Sequence, residues 1–142
     1  MTATHYIWIL AQQAPFEAGL DLNSRTVFSC NYVVEALGPI IDLKNEILKL
    51  LSDAGLGTRF NGATGDTFVG RNAKLPPGDG PYVTLIPTAG FATRETHNGA
   101  RYERPGFQIW VTATVYSAAE TRANAIWRLL DGVRDTDVTG LS

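Results

Sequence analysis

The sequence predicts an α/β protein of the α+β kind, in which two helices pack on one face of a mostly antiparallel sheet of about four strands. Three observations support this prediction. Residues 107–116 alternate between apolar and polar side chains, as half-buried strands do. Apolar side chains then recur every three or four positions over residues 119–133, and a second helical pattern covers residues 42–54. Because almost no loop separates the alternating strand from the helix after it, we expect the two to pack together.

Residues 1–40 are the least regular part of the chain. Residues 5–11 and 26–34 each have the β-branched and aromatic content of a strand. The residues between them include Pro15, Gly19 and Asp21, which is the composition of a loop. Two interpretations stay open for this segment: an extension or arm that docks on another molecule, or two ordinary core strands.

The pattern over residues 42–54 predicts a helix that Asp42 caps and Gly55 ends. Residues 58–81 are rich in glycine and proline and predict loops, apart from a short strand at residues 66–70. The apolar stripe of the helix holds Leu43, Ile47, Leu50 and Leu51.

A long β-hairpin is predicted in the second half of the chain. Residues 82–87 form a strand before it, and because proline cannot donate a ladder hydrogen bond, this strand is expected either to lie at a sheet edge or to end at Pro87. The Asn98-Gly99 pair predicts the turn of a hairpin over residues 91–116. Its tip half, residues 93–104, carries many charges and almost no core residues, so we expect it to project beyond the sheet.

The helix that follows the hairpin has well-marked ends. Ser117 is expected to cap it, with Glu120 at the spacing of a capping box, and Gly132 is expected to end it in the left-handed conformation. Residues 134–142 predict a polar tail that either holds a short edge strand around residues 137–141 or is disordered. The apolar strand face holds Phe107, Ile109, Val111, Ala113 and Val115, the opposite face holds Gln108, Trp110, Thr112, Thr114 and Tyr116, and the helical stripe holds Ala119, Ala123, Ile126, Leu130 and Val133.

Composition predicts one globular domain with a core of its own, since 44% of the 142 residues are hydrophobic and 18% are charged. A net charge of −2 argues against a general nucleic-acid binder, which needs a basic stripe, but not against a protein that DNA merely passes. Cys30 is the only cysteine, and we expect a small buried side chain rather than a reactive thiol. The apolar run at residues 6–11 is too short to span a bilayer and no basic segment precedes it. We therefore expect a protein made in a reducing cytoplasm without a membrane anchor.

No set of residues predicts catalysis, a metal site or a cofactor site. His5 and His97 lie far apart, and no cluster of His, Cys, Asp and Glu has the spacing of metal ligands. The Gly-x-Ser-x-Gly motif of hydrolases is missing, although a triad assembled in space from distant residues stays open. We expect a protein that is not an enzyme and that holds no cofactor.

The alternating arginines and glutamates of the hairpin allow two interpretations. They can form solvated edges with cross-strand ion pairs of roughly 0.2–1 kcal/mol each, or they can lie on a neighbouring subunit. Aromatic side chains on the strand face away from the helices favour the second interpretation, unless the N-terminal segment covers that face. The predicted interface residues are Arg94, Glu95, Arg101, Tyr102, Glu103, Arg104, Trp110 and Tyr116.

Three segments in this order resemble the tail terminator, or tail completion, proteins of long-tailed bacteriophages, some of which are labelled minor capsid proteins. They are IIDLKNEILKLLSDAGL at residues 40–56, PYVTLIPTAG at residues 81–90, and the hairpin, strand and helix of residues 94–133. The most specific part is Tyr-Glu-Arg-Pro-Gly followed by an alternating strand and an alanine-rich helix. The expected organisation is an extension or arm at residues 1–38, a tail-terminator-like domain at residues 39–134 and a C-terminal tail at residues 135–142.

The resemblance implies a structural virion protein of a siphovirus that forms a homohexameric ring at the head-proximal end of the tail tube. Such a ring ends the polymerisation of the tube and joins the tail to the head connector. Its implied partners are further copies of itself, the tail tube protein, the connector or neck protein, and genomic DNA that passes the lumen without sequence-specific binding. Assembly is expected in the host cytoplasm, away from any membrane. The alternatives are another small neck or tail-tube ring protein, or a small ligand-binding or enzymatic domain with a pocket between helices and sheet.

Overall fold

Nine strands and two helices make up the part of the chain that the computed structural model describes, which is residues 6–37, 43–88, 94–95 and 101–137. The α+β class is therefore confirmed, whereas the sheet has nine strands rather than the four or so expected. The strands are β1 (Tyr6–Ala11), β2 (Phe16–Leu20), β3 (Thr26–Leu37), β4 (Thr67–Val69), β5 (Tyr82–Thr88), β6 (Arg94–Glu95), β7 (Arg101–Glu103), β8 (Gly106–Ala113) and β9 (Val133–Asp137), and the helices are α1 (Leu43–Asp53) and α2 (Tyr116–Leu130).

Six of the strands lie side by side in the order β4-β5-β8-β3-β1-β9. Only β4 and β5 pair in parallel, so the expectation of a mostly antiparallel sheet is confirmed for the described strands. β3 is central: β2 and β1 pair along one of its sides, and β8 and β7 along the other. The N-terminal segment thus supplies strands of the sheet itself, and its further use as an arm stays a prediction.

The hydrophobic core lies between one face of this sheet and the two helices. The predicted apolar face of β8 is buried against α2, and Tyr32 of β3 stacks on Phe107 with ring centroids 4.9 Å apart. Val115 is the exception, because it lies beyond the end of β8 and is 56% exposed. The core includes Phe28, Cys30, Tyr32 and Val34 of β3, Val83 and Leu85 of β5, Phe107, Ile109, Val111 and Ala113 of β8, Ala119, Ala123, Ile126 and Leu130 of α2, and Ile47, Leu48 and Leu51 of α1.

The start of α2 differs from the prediction. Val115 is the N-cap, in an extended conformation, and no side chain makes a capping hydrogen bond, so the capping box of Ser117 and Glu120 is wrong. Both residues lie inside the helix instead, Ser117 in its first turn and Glu120 just after it. A tertiary contact explains the earlier start: Thr114 donates from its backbone N–H to the carbonyl oxygen of Asp79 at 2.8 Å, which ends the strand and turns the chain into the helix there.

The ends of both helices follow the sequence. Gly55 (φ +72°) and Leu56 close α1 with hydrogen bonds from Gly55 N to Ser52 O and from Leu56 N to Leu51 O, which is a Schellman motif. Gly132 takes the left-handed conformation after α2, with φ +86°, and its N–H donates to the carbonyl oxygen of Ile9. The predicted cap of α1, Asp42, lies outside the described residues.

Two predictions concern the edges of the sheet: the position of Pro87 and the strand expected near the C-terminus. β4 pairs with β5 only as far as Leu85. On that side of β5, Pro87 therefore has no neighbouring strand that would require a backbone N–H donor, as expected for an edge position. At the other edge, β9 begins at Val133 and pairs with β1, which is earlier in the chain than the expected strand around residues 137–141. Val133 therefore belongs to a strand and not to the helical stripe.

The hairpin is present in outline. β6 pairs with β7 in the register Arg94 with Tyr102 and Glu95 with Arg101. β7 also pairs with the end of β3, at Ala36 and Leu37, so this arm of the hairpin stays within the sheet. The predicted turn at Asn98-Gly99 lies outside the described residues, and the projection of the tip stays a prediction.

Candidate subunit interface on the helix-free sheet face

The sheet face away from the helices carries small polar side chains around one tryptophan. Ser29 of β3, Thr84 of β5 and Thr112 of β8 are all nearly inaccessible to solvent, although no helix packs on them in the described structure. Trp110, between Ser29 and Thr84 in the strand register, is half-buried. Something other than a helix therefore shields this face.

Two segments outside the helices form walls over this face and leave a cleft of about 820 Å³ between them. One wall is β2 with the turn that follows it, and the other is the segment of residues 71–75 before β5. We call this space the β2 cleft. Its floor is Ser29, Thr84, Gln108, Trp110 and Thr112, and its walls include Phe16, Leu20, Leu22, Arg71, Lys74 and Leu75.

A buried arginine ties the wall formed by β2 and its turn to the loop that directly follows the other wall. Arg25 Nε donates to Asp21 Oδ2 at 2.7 Å, and its Nη1 donates to the carbonyl oxygens of Pro76 at 2.6 Å and Gly78 at 3.0 Å. Its guanidinium also lies 5.4 Å from the ring centroid of Tyr82. Because this cation has several fixed partners, it holds the shape of the cleft rather than offering a free charge to a ligand.

The turn after β2 is organised around Asp21. Its Oδ1 accepts hydrogen bonds from the backbone N–H groups of Asn23 at 3.0 Å and Arg25 at 2.8 Å. Burial raises the pKa of this carboxyl, but the hydrogen bonds from Arg25 and the charge of Arg25 outweigh burial and lower it overall. Ser24 adopts φ +60° within the turn. The turn places Leu22 at the rim of the cleft, where it is fully exposed.

The rim of the cleft combines exposed apolar side chains with an open strand edge. Phe16 and Leu20 of β2 are 45% and 65% exposed. Among the described strands β2 pairs only with β3, so its other edge has no partner there. An exposed edge strand with apolar side chains is a ready site for pairing with another chain.

Some polar groups inside the cleft have hydrogen-bond partners, and at least one has none among the described residues. Gln108 Nε2 donates to Asn31 Oδ1 at 2.8 Å, and the Arg71 guanidinium lies 5.8 Å from the ring centroid of Trp110. Ser29 Oγ is buried and has no hydrogen-bond partner among the described residues. A buried hydroxyl without a partner carries a free-energy cost that a bound chain could relieve.

The structure divides the predicted interface residues among four places. Trp110 lies in the floor of the β2 cleft. Tyr116 does not share that face: it begins α2, and its ring meets the edge of Phe28, on the helix-covered side, with centroids 5.2 Å apart. Arg104 follows the hairpin, where its Nε lies 3.6 Å from Glu35 Oε1. The other five, Arg94, Glu95, Arg101, Tyr102 and Glu103, lie on β6 and β7.

Sequence reasoning missed β2 and its rim. Phe16, Ala18, Leu20 and Leu22 are spaced by two, which is the signal of a strand with one apolar face. The glycine, proline and aspartate around them made this segment resemble a loop. The sequence left open that the N-terminal segment covers the sheet face that carries Trp110. It does so in part, because β2 forms one wall of the cleft and leaves Trp110 half-buried.

A second cavity of about 420 Å³ lies between α2 and the segments around Leu56 and Pro81. Arg122 lines it and donates from Nη1 to the carbonyl oxygen of Leu56 at 2.7 Å, with Asp66 Oδ2 at 3.4 Å. Over the described residues, no three His, Cys, Asp or Glu side chains come close enough to hold a metal ion. No helix in that part of the chain is both long and apolar enough to span a lipid bilayer.

Fold and site together define a small α+β domain whose helix-free face presents an apolar-rimmed cleft beside an open strand edge, a surface suited to binding another polypeptide. A protein-family model described as bacteriophage tail terminator protein matches residues 50–141. The match covers more than half of the chain, so the chain belongs to the bacteriophage tail terminator family, a family of structural, non-enzymatic virion proteins. Comparisons with curated proteins and with solved structures gave no significant match.

Proposed function

We propose that the protein forms a closed ring, a homohexamer, at the head-proximal end of a phage tail tube, where it ends the polymerisation of the tube and joins the tail to the head connector. The family match over residues 50–141 carries this proposal. The helix-free sheet face supports it, because a ring needs a surface on each copy that can be covered by another polypeptide. Ring closure at a fixed number of copies limits growth sideways.

The proposed position of the ring at the head-proximal end of the tube determines which molecules it contacts. One side of the ring contacts the tail tube protein and the other contacts the connector or neck protein, while the genome passes through the lumen. A net charge of −2 suits a passage of this kind, because a strongly basic lumen would retain DNA through its phosphates. Assembly takes place in the host cytoplasm before the tail joins the head.

The contact between copies includes the hairpin and the helix-free sheet face. The sequence of β6 and β7 supplies charged groups of both signs, and Trp110 supplies a large aromatic side chain of the kind that dominates interface energies. Arg104 and Glu103, at the end of the hairpin, belong to the proposed contact, and Tyr116 adds an exposed aromatic side chain at the start of α2, on the other side of the sheet. Removal of residues 96–100 is expected to leave a folded protein that no longer forms rings.

The test is to polymerise the tail tube protein with and without this protein and to image the products by cryo-electron microscopy. We expect shorter tubes that carry one ring of this protein at a single end, and virions that carry it between tube and head. Copies distributed along the tube, or located elsewhere in the neck, would instead identify another ring component. A stable monomer that leaves tube length unchanged would overturn the proposal.

A further inference from the structure

We propose that the β2 cleft of one copy receives the start of α2, with the carboxylates around it, from a neighbouring copy. This inference rests on the proposed ring and names two surfaces by which its copies join. The occupant of the cleft is thus a second copy of this chain. We call the surface that enters the cleft the acidic α2 patch; its residues are Glu17, Asp79, Val115, Tyr116 and Glu120.

Exposed large apolar side chains concentrate on these two surfaces. Val115 and Tyr116, which are adjacent at the start of α2, are 56% and 47% exposed. Three more such side chains form the rim of the β2 cleft. Of the six exposed large apolar residues in the described part of the chain, only Leu10 belongs to neither surface. Exposed apolar surface that is grouped in this way marks contacts with other proteins.

Three carboxylates surround the apolar pair of the patch. Asp79 Oδ1 accepts a hydrogen bond from Thr114 Oγ1 at 3.1 Å, directly before the helix. Partial burial, together with the negative charges of Glu120 and Glu17, raises the pKa of the Tyr116 hydroxyl, so both carboxylates lie close to this side chain. All three carboxylates are exposed, and none forms an ion pair with another described residue. The patch therefore presents negative charge that nothing in the described structure neutralises.

The charges that line the β2 cleft have the opposite sign. Asp21 and Arg25 line it but neutralise each other. The other two ionisable side chains of the lining, Arg71 and Lys74, are exposed and form no ion pair within the described ranges. An acidic surface is therefore the complementary partner of the cleft. Complementary charges steer two surfaces together and fix their register.

The floor of the cleft suits a tyrosine side chain. Its volume of about 820 Å³ lies within the range of pockets that hold a drug-sized molecule, so it has room for Val115 and Tyr116 together. A tyrosine needs apolar contact for its ring and a hydrogen-bond partner for its hydroxyl. Trp110 offers the first, and the floor also holds Ser29 Oγ, which is buried without a partner among the described residues.

The two surfaces lie on opposite sides of the sheet. Trp110 is on the helix-free face, whereas the ring of Tyr116 contacts Phe28 of the core on the helix-covered side. One copy can therefore offer its patch to one neighbour and its cleft to another. This is the head-to-tail arrangement that a closed ring requires.

The first experiment reverses the charges of one surface at a time. Arg71→Glu with Lys74→Glu makes the cleft acidic, and Glu17→Lys with Glu120→Lys makes the patch basic. Each double variant should need at least about tenfold more protein to form rings, because like charges then meet. Sedimentation velocity in the presence of tail tubes measures this concentration. All four side chains are exposed, so folding should be unaffected, which circular dichroism checks.

Lys49→Glu with Arg128→Glu is the matched control for the cleft variant. Both side chains are exposed on helices and lie outside the two surfaces, and the substitution changes the net charge by the same amount. This control should form rings at the wild-type concentration. An equal loss of rings in the control would assign the effect to net charge and overturn the inference.

The second experiment mixes the two charge-reversed variants. The cleft variant has two acidic surfaces and the patch variant has two basic ones, so neither can pair with itself. In the mixture, each acidic cleft meets a basic patch and each basic cleft meets an acidic patch. Rings should therefore form at within about threefold of the wild-type concentration. Native mass spectrometry should find equal numbers of the two variants in each ring.

The outcomes separate this inference from the proposed function. If the wild-type protein forms rings on tubes and the cleft variant forms them equally well, the contact is wrong and the proposed function stands. If both variants lose their rings and the mixture does not regain them, the pairing of patch with cleft is likewise wrong. If the wild-type protein forms no ring at all, the proposed function fails, and the inference fails with it.

Discussion

Arg25 and Asp21 form a nearly buried ion pair, with 2.7 Å between Arg25 Nε and Asp21 Oδ2 and only 5% of the Arg25 side chain exposed. Its Nη1 donates to the carbonyl oxygens of Pro76 and Gly78. One cation therefore joins the turn after β2 to the loop before β5. These two segments flank the β2 cleft, so the pair links the fold of the chain to the surface proposed to contact another copy.

Loss of this cation should destabilise the fold. We expect Arg25→Ala to lower the free energy of unfolding by about 3 kcal/mol, because several hydrogen bonds of a buried charged group are lost together. Urea denaturation followed by circular dichroism measures this change. Arg71→Ala is the control, since the Arg71 guanidinium is exposed over Trp110 and should contribute less than about 1 kcal/mol. Equal effects of the two substitutions would contradict the role given to Arg25.

Asp21 should make the fold sensitive to acid. Burial acts to raise the pKa of its carboxyl, but the hydrogen bonds and charge of Arg25 hold the pKa below its ordinary value of 3.8. A carboxyl with a lowered folded pKa stabilises the fold fully above its unfolded pKa, and that contribution is lost as the pH falls through the folded pKa. Between about pH 5 and about pH 2, the wild type should therefore lose more unfolding free energy than Asp21→Asn. Parallel pH profiles for the two proteins would show that the pair does not form.

Cys30 should be unreactive in the folded protein. Burial raises the pKa of its thiol; the Tyr32 side chain partly offsets this effect, and the charge of Asp131 adds to it. Its Sγ also donates to the carbonyl oxygen of Gln13 at 3.1 Å. Because the thiolate is the reactive form, we expect labelling by an aromatic disulfide reagent at neutral pH to be at least about tenfold slower than in urea. Labelling of the native protein at the rate of a free thiol would place Cys30 at the surface.

Substitutions at two of the three tryptophans, Trp110 and Trp127, should separate effects on ring assembly from effects on folding. Trp110 lies in the floor of the β2 cleft, whereas Trp127 of α2 packs against the core. Trp110→Ala should weaken ring formation strongly and change the free energy of unfolding by only about 1 kcal/mol. Trp127→Ala should lower that free energy by about 2–3 kcal/mol and leave the ring contact itself intact. Rings of Trp110→Ala that form at the wild-type concentration would remove this face from the interface.

Sequence reasoning was accurate where the signal was local and periodic. The buried residues of α2, Ala119, Ala123, Ile126 and Leu130, are the predicted stripe, apart from Val133. The left-handed glycines at Gly55 and Gly132 were also predicted, since a glycine after an amphipathic stripe is a strong stop signal. It failed at Ser117, where a good capping residue lost to a hydrogen bond between Thr114 and Asp79. That hydrogen bond joins residues far apart in the chain, so no local pattern announces it.

The sequence by itself determined the fold class, the two helices, the apolar face of β8 and the family, because each depends on the order and spacing of side chains along the chain. Only the tertiary structure decided which strands flank β3, where β9 lies, and that Trp110 and Tyr116 are on different sides of the sheet. The physical reason is that strands pair through backbone groups that nearly every residue carries. Side-chain patterns therefore predict which face of a strand is buried, but neighbouring strands and open edges emerge only when distant segments meet.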